Sequence, residues 1–104
     1  MKKTNLAIFL SGTGSNFKSI SEACLKPDYP AMIKLVICDR DCNGYNISKK
    51  LQYKTILIKH LNDQFAFENK VTILLKKHQI DLICLAGFMR ILSSEFVKSW
   101  KNKI

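Results

Sequence analysis

Apolar positions along the chain fall into short solid blocks, separated by stretches in which they recur every three or four residues. Asn5 to Leu10 is a compact apolar run closed by Ser11-Gly12, and it predicts a first strand. From about Ser15 to Leu25, Phe17, Ile20, Ala23 and Cys24 return at helical spacing. Pro27 and Pro30 end that helix. Ala31 to Cys38 reads as a β-branched strand, Tyr45 to Gln52 as a short helix with Ile47 and Leu51 four apart, and Thr55 to Ile58 as a third strand. Asp63 or Gln64 to His78 carries the clearest helical stripe, Phe67, Val71, Leu74 and His78. Ile80 to Leu85 predicts a fourth strand, and Ser93 or Ser94 caps a last helix with Glu95 in its first turn.

Strands that are apolar at nearly every position belong in a parallel sheet covered on both faces. With right-handed crossovers, the alternating order predicts a doubly wound, Rossmann-like α/β fold. Trp100 to Ile104 reads as a polar turn leading toward another strand. A four-stranded sheet of this size buries only about 60–65% of its unfolded surface. It would also leave an apolar edge strand unpaired. Residues 1–104 are therefore expected to be one domain cut short after about four β-α units.

Composition narrows the class. With 47% hydrophobic and 24% charged residues the chain is an ordinary globular one, which excludes a disordered tail, collagen or a coiled-coil rod. No apolar stretch approaches about 18 residues, so no membrane span is expected. The lysine-flanked start reads as a strand rather than a leader, which predicts a cytoplasmic location. The net charge is +9, but only Arg40 and Arg90 are arginine and the lysines are scattered. Nucleic-acid binders concentrate such residues on one element, so the expectation is a solvated basic surface that attracts small anions. Among the cysteines, Cys38 and Cys42 are the only close pair, so neither a metal nor a disulfide framework is expected.

Ser11-Gly12-Thr13-Gly14-Ser15-Asn16 joins the first strand to the first helix, where open α/β sheets bind ligands. The amides of Gly14, Ser15 and Asn16 open the helix and face outward with its positive end, an arrangement suited to a phosphate monoester. A P-loop is excluded because no lysine follows Gly14. A dinucleotide fingerprint lacks its third glycine, Phe17 standing there, although Asp39 could imitate the ribose-binding acid. A plain turn without ligand stays open. Leu85 to Leu92 keeps Phe88, Met89, Ile91 and Leu92 where a loop should turn polar. Either these side chains line a flat slot for a planar heteroaromatic ring, or the junction packs its own hydrophobes. Asp39 and Asp41 read most simply as solvated turn formers, and neither His60 nor His78 has a partner that would make it catalytic.

Taken together, NLAIFLSGTGSNF at the start, DLICLAGFMRIL at 81–92 and the following SSEFV resemble the phosphoribosylglycinamide formyltransferases. The resemblance spans essentially the whole chain and is weaker between Asp39 and Lys70. It implies the formyltransferase fold and transfer of a formyl group from 10-formyltetrahydrofolate to 5′-phosphoribosylglycinamide in purine biosynthesis, without metal. It assigns Gly14, Ser15 and Asn16 to the substrate phosphate, and Met89, Arg90, Ile91, Leu92 and Gln64 to the folate. Gln64 stands where the family typically has an arginine, and a glutamine supplies no fixed charge. The family's Asn-x-His-Pro-Ser segment and later aspartate fall beyond Ile104, so no catalytic residue is expected within the chain. The resemblance thus implies the N-terminal, substrate-binding half of the enzyme, inactive alone. The alternative is a non-catalytic nucleotide- or dinucleotide-binding module.

Overall fold

The computed structural model of the chain describes residues 3–59 and 63–104, and His60 lies outside them. Its elements are β1 (Thr4–Leu10), α1 (Ser15–Cys24), β2 (Ala31–Cys38), α2 (Asn43–Lys50), β3 (Thr55–Leu57), α3 (Gln64–Lys77), β4 (Leu82–Leu85) and α4 (Ser94–Ser99). The strands form one parallel sheet in the order β3-β2-β1-β4. This is the doubly wound α/β architecture that the alternating pattern predicts.

Successive side chains of β1 point to opposite layers. Leu6, Ile8 and Leu10 pack with Phe17 of α1, whereas Ala7 and Phe9 pack with Phe67, Val71 and Leu75 of α3 and with Phe96 of α4. Both faces are covered, which is why the strand shows no alternation of apolar and polar positions. Each large side chain buried this way contributes about 1.5–3 kcal/mol. β2 departs from this in its first half, where Met32 and Lys34 are exposed. There β3 offers no partner, because it pairs only with Val36 to Cys38. The register against β1 slips between Leu6 and Ala7, passing from Ile33 to Leu35 and leaving Lys34 as the bulged residue.

Several boundaries differ from those expected. α2 begins at Asn43, two residues early, because Cys42 is extended and serves as its cap. Its buried face is Gly44 and Ser48, while Leu51, expected inside, is 47% exposed. The buried row of α3 runs through Leu75 rather than Leu74 and His78, which are half-buried. Ile80 is buried but precedes the ladder, since β4 starts at Leu82. Asp63 and Ser93 are the caps of α3 and α4, their side chains accepting from the amides of Ala66 at 3.0 Å and Phe96 at 3.1 Å. Trp100 belongs to the core and not to a polar turn. The turn is the stretch after it, and the Lys103 carbonyl accepts from the Ile83 amide at 2.7 Å on the outer edge of β4.

Candidate functional site

From β1 the chain winds outward through β2 to β3, then returns to lay β4 on the other side of β1. By topology, the reversal puts the candidate crevice at the carboxyl ends of β1 and β4, where such sheets take ligands. Two loops form its walls, the glycine turn after β1 and the 86–92 segment after β4. They touch: the Met89 amide donates to Ser11 Oγ at 2.8 Å.

Gly14 caps α1 with left-handed backbone angles, φ 83° and ψ 13°, and no side chain bonds the cap. The amides of the first helical turn have no intrahelical acceptors, and no acidic residue sits in that turn to compete for them. Ser15 and Asn16 are exposed there. Gly14 itself is buried against α2, where an added Cβ would stand 2.8 Å from the Gly44 Cα. Gly44 also donates its amide to the Gly12 carbonyl at 3.0 Å. Sequence reasoning missed Gly44. It lay outside the helix expected from Tyr45, and only the structure shows a glycine in the first turn of α2, a placement that costs about 0.5–1 kcal/mol against alanine unless the space is needed.

The 86–92 segment divides its hydrophobes between the two readings left open for it. Phe88 turns inward, edge-on to Phe9 at 5.3 Å and stacked on Phe67 at 6.3 Å. Leu92 packs against the same layer. Met89 and Ile91 face outward, 67% and 90% exposed, as the accessible apolar surface of this wall. Gly87 makes the alternation possible with φ 76°.

Asp39 is not a solvated turn former. Its side chain is wholly buried and receives Arg90 Nε at 3.0 Å and Arg40 Nη2 at 3.2 Å. Burial alone would raise its pKa, but hydrogen bonds from Ser11, Arg40 and Arg90 outweigh that and hold it below the usual carboxylate range. Asp41, two residues on, is exposed as expected. Arg90 is thus bound to Asp39 through Nε, with its side chain about a third exposed.

Gln64, at the start of α3, donates to Glu68 Oε2 at 2.6 Å and to the Ile91 carbonyl at 3.1 Å. Glu68 in turn accepts from the amide and hydroxyl of Ser93. This network ties the exit of the 86–92 segment to α3. The cysteines carry free thiols. Burial, the neighbouring Cys42 and the Asp39 charge push Cys38 up to about 12. Burial likewise raises Cys84 and, with Cys84 beside it, Cys24. Among the described residues no cluster of His, Cys, Asp and Glu is arranged to hold a metal, and no helix is long and apolar enough to cross a membrane.

A doubly wound parallel sheet with an anion-receptive turn against an apolar exit loop has a counterpart among known families. The formyl transferase family matches residues 4–104, and the chain belongs to it. Within that family it is similar to the phosphoribosylglycinamide formyltransferases. It is 34% identical over 107 residues to the enzyme of Haemophilus influenzae, covering 100% of this chain and 50% of that protein. It is 34% identical over 106 residues to the human trifunctional purine biosynthetic protein adenosine-3, covering 99% of this chain and 10% of that protein. The crystal structure of phosphoribosylglycinamide formyltransferase from Brucella melitensis superposes with a TM-score of 0.94 at 31% identity, over 99% of this chain and 55% of that one. The chain therefore spans about half the length of its single-function relatives.

Proposed function

We propose that residues 1–104 are the substrate-binding half of a cytoplasmic phosphoribosylglycinamide formyltransferase of purine biosynthesis. In this reading Gly14, Ser15 and Asn16 hold the phosphate of 5′-phosphoribosylglycinamide by main-chain and side-chain donors. Met89, Arg90, Ile91, Leu92 and Gln64 form the folate side. Met89 and Ile91 supply the accessible apolar surface, while Arg90, Leu92 and Gln64 hold its shape from behind. When bound there, 10-formyltetrahydrofolate supplies the formyl group. The residues present fit such a ligand: an apolar face for the ring, with backbone groups at the segment's edge. The chain's own contribution is to bind and orient the two molecules side by side. It holds none of the residues that the family resemblance assigns to proton transfer, and it is expected to show no turnover alone.

The observation that supports this reading is the Met89–Ser11 hydrogen bond, which holds the glycine turn and the 86–92 segment side by side. The dinucleotide alternative needs a free acid after β2 to take a ribose diol. Asp39 has no such freedom, being buried under two arginines. The test is an amide-resolved NMR titration of the purified chain. Ribose 5-phosphate is expected to shift Gly14, Ser15 and Asn16, and 5-formyltetrahydrofolate to shift Met89 and Ile91. Saturable binding of NAD at the turn, with neither of those responses, would overturn the assignment.

A further inference from the structure

Asp39 directly follows β2, and its carboxylate reaches across to the 86–92 wall of the crevice. On the glycine-turn side the Asp39 amide donates to the Leu10 carbonyl at 3.3 Å, next to Ser11, which accepts the Met89 amide at 2.8 Å. Arg90, on the other side, reaches it through Nε at 3.0 Å. Arg40 closes the remaining approach with Nε at 3.3 Å and Nη2 at 3.2 Å. A wholly buried carboxylate holds its cationic partners firmly, because losing them would leave its own charge uncompensated in low dielectric. The two walls depend on it unequally. The glycine turn is also held by the Gly44 amide on the Gly12 carbonyl at 3.0 Å and by Lys18 on Gly14 at 2.8 Å. The 87–91 stretch has an open, positive-φ glycine at one end and the Gln64 bond to Ile91 at the other.

We propose that Asp39 is the positioning residue of the crevice: through Arg90 it clamps residues 87–91 against the glycine turn, and so sets the affinity of the apolar wall for a ring-bearing ligand. The ligand half of this statement rests on the assignment of that wall to the folate.

The test compares Asp39→Asn, Arg90→Gln and the double variant of the full chain. Two calorimetric titrations, with 5-formyltetrahydrofolate and with ribose 5-phosphate, are read beside hydrogen exchange of the Met89 amide without ligand. Each single change is expected to weaken folate binding about tenfold and leave phosphate binding within about twofold. The double variant is expected to be no worse than the singles by more than about twofold, because the pair acts as one unit. Met89 exchange is expected to quicken about tenfold or more in both singles. Equal loss for both probes together with loosened exchange throughout β1 would mean a general structural role and overturn the proposal, as would multiplying losses in the double variant. If neither probe binds the unmodified chain, the functional reading fails, and the clamp is judged on Met89 exchange alone. Should Asp39→Asn not fold, Arg90→Gln, altered at a third-exposed side chain, decides the exchange test.

Discussion

Replacing Gly14 with alanine separates two costs that the glycines of this chain otherwise combine. Gly14 has a φ of +83°, and a Cβ there would lie 2.8 Å from the Gly44 Cα, a backbone atom that cannot swing aside. Gly87 shares the positive φ, +76°, but a Cβ on it meets nothing within 4 Å. Gly87→Ala therefore reports the backbone cost alone, about 1–2 kcal/mol. Gly14→Ala adds overpacking of one backbone on another, about 1–3 kcal/mol, for a total of roughly 2–5 kcal/mol. Gly12→Ala, with no positive φ and open space around it, is the control and is expected to stay within about 0.5 kcal/mol of the unmodified chain. A domain of this size has about 5–15 kcal/mol in all and loses about 4–8 °C of Tm per kcal/mol, so Gly14→Ala is expected to melt at least about 8 °C lower. Urea denaturation midpoints, checked by thermal melts, measure the series. If Gly14→Ala is no less stable than Gly87→Ala, the close seat of the glycine turn on α2 is wrong, and with it the rigidity argued for that turn.

The two faces of the 86–92 segment give a second contrast. Phe88→Ala should cost about 2–4 kcal/mol by urea denaturation because it opens a space between Phe9 and Phe67. Ile91→Asp, at a side chain 90% exposed, should leave stability within about 0.5 kcal/mol while reducing 5-formyltetrahydrofolate binding beyond detection. Acid titration tests Asp39. Its folded pKa lies below the ordinary value, so the stability it contributes is fully present above about pH 4 and is lost as pH falls toward the folded value. Arg40 and Arg90 face the carboxylate, and the Cys38 thiol, pushed up to about 12, stays neutral. The stability difference between the unmodified chain and Asp39→Asn should therefore shrink below that pH in circular-dichroism melts, and a constant difference would contradict the ion-pair account. With its thiol pushed up to about 12, Cys38 should resist alkylation at pH 8 in the folded chain and react only on unfolding, as read by peptide mass mapping.

The pattern of solid apolar blocks against helical spacing was enough for the order of elements, and strand positions without alternation were enough for a parallel sheet covered on both faces. The caps at Asp63 and Ser93 were legible for the same local reason: a short oxygen-bearing side chain beside the helix's first free amides. The glycine turn was legible as the uncapped start of α1 because its geometry lies in consecutive residues. None of these features needs a distant partner.

The features that escaped the sequence are those whose partners are far away in it. Asp39 looks like any loop carboxylate until the fold brings Arg90, fifty-one positions on, within 3.0 Å of it. Gly44 looks like a loop glycine until α2 is seen starting at Asn43 and resting on Gly14. Phe88 and Met89 are adjacent apolar residues, yet one belongs to the core and the other to solvent, because the backbone turns at Gly87 beside a strand that topology alone sets next to β1. Local propensity governs which segments are strand or helix. Which buried charge finds a counter-charge, and which apolar side chain is left for a ligand, is settled only when the return of β4 to the free side of β1 closes the crevice.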